Sequence, residues 1–476
     1  MVKKVKDIKI SFIDESASED VTGSCVYIET PNHKILLDAG LAQSNDRYKD
    51  FLVNNRKTKE FKAKEIDTVF ISHLHSDHSL ACPKLYKNGF KGTTIIPNGN
   101  LGILKTMAYD SAYISERDIL VINSQHNKNY EPLYSTSDVD IMLKNTIEYP
   151  IGEKIHIDDE LSFEFIPSGH LLYGCQIVLY ITVNNTTKVI GYTGDIGNSK
   201  IKNHFVGNFE KIKYADVLIG EATYGDRPDL KTGLKERRTD INKLESIIDM
   251  QVHEMKGRVI IPSFAQSRIQ QLSLMIYELY KDKEWQPKVY IDSPLAIQIF
   301  KDYEKVLDGE DKELFDELLN WDKLIFVKES EDSKALVASN EPCVVLSTAG
   351  MCQVGRVRHH LKSVVSNPNA TVLFVGFSTE GSLASLLKNN KIKTITIDTK
   401  EYKCRCSSYS LKSLSGHAPF KQLVDYYTSV NCNKIILHHG SQKAKETLAE
   451  ELRKQLEKKC KTTKVVISNS SLKFKL

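Results

Sequence analysis

No stretch of this sequence is apolar for the roughly 18 residues that a membrane-spanning helix needs, so no such helix is expected. The lysine-rich start, Met1 to Lys9, is followed by no long apolar segment, which argues against a secretory signal. Nine cysteines are present, an odd number without framework spacing. Cys404 and Cys406 are the only close pair, and no second pair completes a structural zinc site. That pattern fits a reducing compartment, so a cytoplasmic protein is expected. Charge of one sign is lacking too: 65 Lys and Arg stand against 61 Asp and Glu, a net +4. The chain is no polycation, and a nucleic-acid site in it requires a local basic groove. Internal repeats and low-complexity segments are absent.

At 476 residues the chain is too long for one core and suits two or three domains. Its densest chemistry is His73-Leu74-His75-Ser76-Asp77-His78, directly after Val69-Phe70-Ile71 and Ser72. The apolar run reads as a buried strand. Neutral imidazoles and a carboxylate in the turn behind it suit Zn²⁺ and similar divalent ions. In such a turn His73 and His75 can point one way and Asp77 and His78 another, so two metals can share it.

The same pattern, an apolar strand ending in His, Asp or Glu, recurs along the chain. Ile35 to Leu37 ends in Asp38, and Leu161 to Phe165 leads to Ser168-Gly169-His170. Val189 to Tyr192 ends in Asp195, Val217 to Gly220 in Glu221, and Lys434 to Leu437 in His438-His439. One polar strand end is an ordinary turn, whereas a series of them argues for one shared site. Ser413 to Gly416 similarly leads a strand into His417 and a helix. Between these stretches, Ile8 to Ile13, Ser24 to Ile28 and Gln176 to Val183 read as strands, with a tight approach at Val21 to Cys25. Leu101 to Tyr113 and about Asp138 to Lys144 read as helices. Leu85 to Gly92 and Asn123 to Ser135 read as loops. A last helix, about Lys443 to Lys459, and a strand, Lys464 to Ile467, follow.

From about Gly225 the texture changes to a basic stretch, Arg227 to Arg238, and an amphipathic helix through Met255. Strands then alternate with helices: Val259 to Ile261, Val289 to Ile291, Val344 to Leu346 and Val372 to Val375. This alternation predicts a parallel, doubly wound domain. Its strand ends, Pro262-Ser263-Phe264, Asp292-Ser293-Pro294, Ser347-Thr348-Ala349-Gly350 and Gly376-Phe377-Ser378, are small or hydroxyl-bearing. Such ends can hold phosphates, so Ser263, Ser347, Thr348, Gly350 and Ser378 are candidate substrate contacts. Arg268, Arg356 and Arg358 are candidates to neutralise phosphates.

The available ligands, His73, His75, Asp77, His78, His170, Asp195 and one of His438 and His439, suit two metal sites, with Asp195 as the natural bridge. Only one of the adjacent histidines should face the metals, because neighbouring strand residues point to opposite faces. Two such cations generate hydroxide near neutral pH and clamp the attacking and leaving oxygens of a phosphodiester. Glu221 and His417 can act as a carboxylate-oriented imidazole that protonates the leaving group.

With these motifs the chain resembles the metallo-β-lactamase-fold nucleases of the β-CASP family, from roughly Ser11 to His439. Asp38 matches the superfamily's first motif, His73-x-His75-x-Asp77-His78 the second, and His170 and Asp195 the third and fourth. Glu221, His417 and His439 look like the three β-CASP motifs. The resemblance is closest to bacterial and archaeal relatives of the cleavage and polyadenylation nuclease subunit. It implies an αββα sandwich with an inserted doubly wound β-CASP domain. The implied division is lactamase-like over 1–224, β-CASP over 225–405 and lactamase-like again over 406–476. His73, His75 and His170 would hold one Zn²⁺, and Asp77, His78 and His439 the other, with Mn²⁺ an alternative. Asp195 would bridge them, Asp38 would orient a ligand, and His417 with Glu221 would protonate the leaving oxygen.

The implied activity is a zinc-dependent ribonuclease using a metal-bridging hydroxide, endonucleolytic with 5′-exonucleolytic action as a further mode. The implied partner is single-stranded RNA, entering a cleft between the domains, with a homodimer compatible and no membrane involved. A DNA nuclease, disfavoured by His439, and a small-molecule ester hydrolase on the same scaffold are the alternatives. Leu80, Tyr173, Pro419 and Ser441 depart from the usual pattern without removing a ligand, which points to a divergent branch.

Overall fold

The computed structural model describes residues 7–13, 22–44, 46–56, 59–201, 203–376, 378, 381–389, 392–469 and 472–476. Val21 and Phe377, named above, lie outside them, as do Met1 to Lys6. The chain divides into two units. The first holds Met1–Ser199, Val206–Leu230 and His417–Leu476; the second holds Lys200–Phe205 and Lys231–Gly416.

The first unit is built on two seven-stranded sheets. One runs in the order Lys473–Lys475, Lys9–Phe12, Val26–Glu29, Lys34–Leu37, Thr68–Phe70, Thr93–Pro97, Thr146–Tyr149. The other runs Lys464–Ile467, Asn431–Leu437, Tyr214–Gly220, Thr186–Tyr192, Cys175–Val183, Leu161–Pro167, Lys154–His156. Strands of the second sheet are apolar nearly throughout because successive residues enter different cores. Ile190, Val217, Ile219 and Ile436 meet Ile10, Ile28, Leu37 and Phe70 of the first sheet. Val189, Leu218, Ile435 and Leu437 turn the other way, onto Leu423 and Tyr427 of helix Phe420–Ser429 and Leu448 and Leu452 of helix Gln442–Lys458. On the first sheet, Tyr86 of helix Cys82–Lys87 hydrogen-bonds Thr94 at 2.9 Å. The result is an αββα sandwich.

Strand direction gathers the chemistry. Lys34–Leu37, Thr68–Phe70 and Thr93–Pro97 are parallel, as are Thr186–Tyr192, Tyr214–Gly220 and Asn431–Leu437. Leu161–Pro167 runs the same way as Thr186–Tyr192, since both are antiparallel to the strand between them. Within each sheet, the polar residues following these strands therefore emerge at one edge.

In the second unit six strands form a wholly parallel sheet, ordered Leu324–Phe326, Val289–Asp292, Cys343–Ser347, Arg258–Pro262, Ala370–Val375, Ser407–Leu411. Ser407–Leu411 closes this sheet, so the chain returns to the first unit at His417 rather than at residue 406. At the end of strand Val289–Asp292 sits a buried network. Asp292 accepts hydrogen bonds from Arg356 (2.8 Å), Ser333 (2.7 Å) and His360 (2.6 Å).

Several local expectations need correction. The loop expected over Leu85 to Gly92 begins only at Asn88: helix Cys82–Lys87 takes in Leu85 to Lys87 and starts with Pro83 in its first turn, where the missing N–H costs nothing. The helix from Leu101 runs on to His126, because Ile119 and Ile122 continue its buried face against Phe51. The amphipathic helix is α-helical only over Leu234–Ile248 and winds as a π-helix over Asp249–Glu254. The short strands Thr146–Tyr149, Lys154–His156 and Lys473–Lys475 carry too few apolar residues to stand out in sequence, and Leu324–Phe326, though wholly apolar, is only three residues long.

Asp292 is fully buried, and burial alone would raise its pKa. The bonds from His360, Ser333 and Arg356 outweigh that and hold its carboxyl below the ordinary value of 3.8. Removing the carboxylate strands Arg356, so Asp292→Ala should destabilise the protein by about 3–5 kcal/mol in denaturant unfolding. Because the folded-state pKa is depressed, this stabilisation is present above pH 3.8 and fades as pH falls below it. The stability gap between the native protein and the variant should therefore narrow on acidification. A gap that is absent at neutral pH, or that widens in acid, would refute this reading.

Candidate metal centre

The site is anchored at Asp38, which follows Lys34–Leu37 with a left-handed φ of 60° and donates its backbone N–H to Phe70 O at 2.8 Å. Its carboxylate accepts from Ser72 N (2.7 Å), Ser72 Oγ (2.8 Å), Tyr192 Oη (2.7 Å) and His78 Nδ1 (2.6 Å). The last bond places a proton on Nδ1 and turns Nε2 of His78 toward His439, 3.1 Å away. The chain can fold this tightly because residue 40 is glycine: a Cβ there would lie 1.7 Å from Asp77 O.

Two groups of donor atoms result. In the first, His75 Nδ1 stands 3.2 Å from both His73 Nε2 and His170 Nε2. Asp195 Oδ2 stands 3.5 and 3.6 Å from those same two nitrogens. In the second, His78 Nε2 and His439 Nε2 are 3.1 Å apart, and Asp77 Oδ2 is 3.3 Å from His439 Nε2. The other oxygen of Asp195 lies 3.4 Å from His78 Nε2 and has no hydrogen-bond partner although it is buried. Ligands placed tetrahedrally about 2.0–2.1 Å from one cation lie about 3.3 Å from each other. The spacing, and a buried carboxylate with one oxygen toward each group, therefore fit a pair of divalent cations.

Charge states agree. Burial, reinforced by the neighbouring His73, pulls the pKa of His75 to about 3. Burial and His417 push His170 well below the usual imidazole value, so both rings are neutral, the form in which imidazole binds a cation. Burial opposes a charge on Asp195, yet His439 and His78 outweigh it and keep the carboxylate ionised. Burial also opposes a charge on His78, but Asp195 and Asp38 prevail and raise it, so the centre favours positive charge.

Of the adjacent histidines, His439 enters the second group, with a left-handed φ of 47°. His438 faces away: its Nδ1 lies 3.1 Å from Ser468 Oγ and its ring centroid 5.1 Å from that of Phe12. Beside the first group, Glu221 accepts from Ile196 N (2.6 Å) and Thr223 N (3.2 Å), fixing both oxygens. His417 Nδ1 lies 3.7 Å from Glu221 and 3.9 Å from Asp195. Burial lowers the His417 pKa, but Glu221 and then Asp195 outweigh it, so the net shift is upward. Tyr192 and Ser72, which sequence reading passed over, hold Asp38 in place; Tyr192 is the last residue of its strand and also bonds Ser24 Oγ at 2.8 Å. The departing residues serve local structure: Ser441 caps helix Gln442–Lys458 by accepting from Ala444 N, and Pro419 precedes helix Phe420–Ser429.

The candidate substrate residues of the second unit fare unevenly. Ser263 and Ser347 are buried, and their hydroxyls donate to Ile261 O and Asp292 O. Arg356 and Arg358 bond to Asp292 and Asp398. Thr348, Gly350, Arg268 and Ser378 are half-buried. Phe264, quoted in sequence only as part of a strand end, is 43% exposed there. Ser267 follows with φ 70° and ψ −54°, and Arg268 N donates to Gln266 O at 2.9 Å. That is a γ-turn of the strained, positive-φ kind, costing about 1–3 kcal/mol. Neither side-chain amide atom of the buried Gln266 has a partner, at a similar cost of about 1–3 kcal/mol.

A lactamase-like sandwich whose strand ends gather two His/Asp donor groups around one shared carboxylate is the framework of a metal-dependent hydrolase. Family models match in succession: the metallo-beta-lactamase superfamily over 19–115, the Beta-Casp domain over 269–387, and the Zn-dependent metallo-hydrolase RNA specificity domain over 401–463. The chain belongs to the β-CASP branch of the metallo-β-lactamase superfamily. It is 26% identical over 434 residues to a ribonuclease of Thermus thermophilus, covering 90% of this chain and 92% of that one. It is 26% identical over 468 residues to the transcription termination factor FttA of Methanocaldococcus jannaschii, covering 95% and 70%. An RNase J-like protein of that archaeon is 27% identical over 424 residues, covering 88% and 89%. A crystal structure of an Enterococcus faecalis protein of unknown function matches with a TM-score of 0.55 at 12% identity, covering 99% and 100%, and shares the fold.

Two outcomes test the centre. Asp38→Ala should weaken divalent-cation affinity by about 10–100-fold in chelator competition, because His78 loses its orienting partner; unchanged affinity would contradict this role. His439→Ala should lower the bound metal per chain, whereas His438→Ala should keep it and lower only thermal stability. The reverse pattern would exchange the two residues.

Proposed function

We propose that the protein is a divalent-metal-dependent ribonuclease that hydrolyses phosphodiester bonds of single-stranded RNA, with a pair of zinc ions as its resident cations and manganese as a substitute. The observation that carries this reading is the pair of donor groups, one containing Asp195 and the other 3.4 Å from its second oxygen at His78, beside the Glu221–His417 pair. The printed ribonuclease names of the relatives and the RNA specificity match support RNA as the polymer. His73, His75 and His170 would hold one cation, Asp77, His78 and His439 the other, and Asp195 both. Bound there, two cations lower the pKa of water and stabilise charge on the phosphoryl oxygens.

The chain's own residues do the rest. Asp38 fixes the ring of His78, and Glu221, held by two backbone amides, favours the protonated form of His417. His417, 19% exposed in its side chain, donates its proton to the leaving 3′ oxygen. Water adds to phosphorus, the bond to the 3′ oxygen breaks, and the products are a 5′-phosphate and a 3′-hydroxyl. Internal cleavage is the primary mode, with trimming from the 5′ end as a second.

The test uses end-labelled RNA and a matched DNA strand, with and without chelator. Chelator-sensitive cleavage of RNA is expected. His417→Ala should lower its rate by about 10²–10⁴-fold while bound metal is unchanged. Cleavage of DNA alone would replace this reading with a DNA nuclease, and inertness toward both strands in the metal-loaded protein would leave a small-molecule ester hydrolase.

A further inference from the structure

In four consecutive residues, 264–267, the second unit departs from what stability alone would choose. Phe264 exposes 43% of its surface, the buried amide of Gln266 lacks partners, and Ser267 sits in a strained γ-turn. Costly features clustered in one loop mark a site retained for contact. The loop's place in the topology agrees. It leaves Arg258–Pro262, whose chain continues toward Val289–Asp292 on one side of the sheet. The neighbouring strand Ala370–Val375 leads on to Ser407–Leu411 on the opposite side. Adjacent parallel strands whose connections diverge open a crevice at their carboxyl ends, where open α/β sheets take ligands.

The ring is also supported from below. Gly350 lies beside it, so close that a Cβ on residue 350 would touch ring carbons of Phe264 at 3.4 and 3.5 Å. An exposed aromatic ring packed beside Gly350 suits the flat face of a nucleobase on a single strand, and it suits every base alike. The buried hydroxyls of Ser263 and Ser347 are spent on backbone carbonyls and cannot serve that strand.

We propose that Phe264 is a stacking platform for one nucleobase of the substrate strand, giving the second unit a sequence-tolerant contact with bases rather than phosphates. This rests on the RNA reading above. The test measures binding of a short, cleavage-resistant phosphorothioate oligoribonucleotide and of the same backbone carrying abasic sites, across a salt series, to the metal-loaded protein. Phe264→Ala should weaken binding of the base-bearing strand by about 5- to 150-fold. It should leave the abasic strand and the salt slope unchanged, since no phosphate contact is lost. Phe264→Trp should restore affinity, and its added indole emission should be quenched by the RNA above the background of the two native tryptophans. Equal affinity of Phe264→Ala and native protein for the base-bearing strand would overturn the platform and leave the RNA reading standing. Failure of the native protein to bind either strand would overturn both.

Discussion

The Asp38 carboxylate is the contact on which the first unit's chemistry depends. Four hydrogen bonds converge on it from two sheets and the segment behind them: Ser72 follows a strand of one, Tyr192 ends a strand of the other, and His78 lies in helix Ser76–Ser79. Each bond is charge-assisted and shielded from water, which makes it stronger than its exposed equivalent. Together they set the imidazole tautomer at His78 and fix the turn carrying His73, His75 and Asp77. Asp38 holds a left-handed backbone to do so, a strain that the surrounding packing sustains.

Asp195 plays the complementary part. Asp38 is saturated with hydrogen bonds, whereas one oxygen of Asp195 is buried without any. Two buried carboxylates of the same sandwich thus differ: protein donors saturate one, and the other has an oxygen without a hydrogen bond, facing His78 and His439. The second unit repeats the first arrangement at Asp292, where Arg356, Ser333 and His360 saturate a buried carboxylate. Position at a strand end alone does not separate these roles; the partners do.

Much of this clustering was legible in sequence because the spacing of the candidate ligands is local and because polar residues after apolar strands are easy to read. His73 to His78 occupies one turn, and Asp38, His170, Asp195, Glu221 and His439 each follow a strand. The choice between His438 and His439 needed the resemblance as well, since alternation says only that one of them faces the site. Tyr192 was hidden because its hydroxyl looks like ordinary strand polarity. The hydroxyls of Ser263 and Ser347 looked available because sequence does not reveal that they bond backward to carbonyls. Short strands such as Lys473–Lys475 were invisible, since their pairing with Lys9–Phe12 is set by a distant segment rather than by their own pattern.

The central claim is that Asp195 joins two cation sites into one centre. Calorimetric titration of the chelator-stripped protein with zinc, beside Asp195→Ala, tests it most directly. The account predicts two equivalents bound by the native chain and weakened binding at both steps in the variant. A single equivalent in the native chain, or a variant that loses affinity at only one step, would contradict the shared carboxylate.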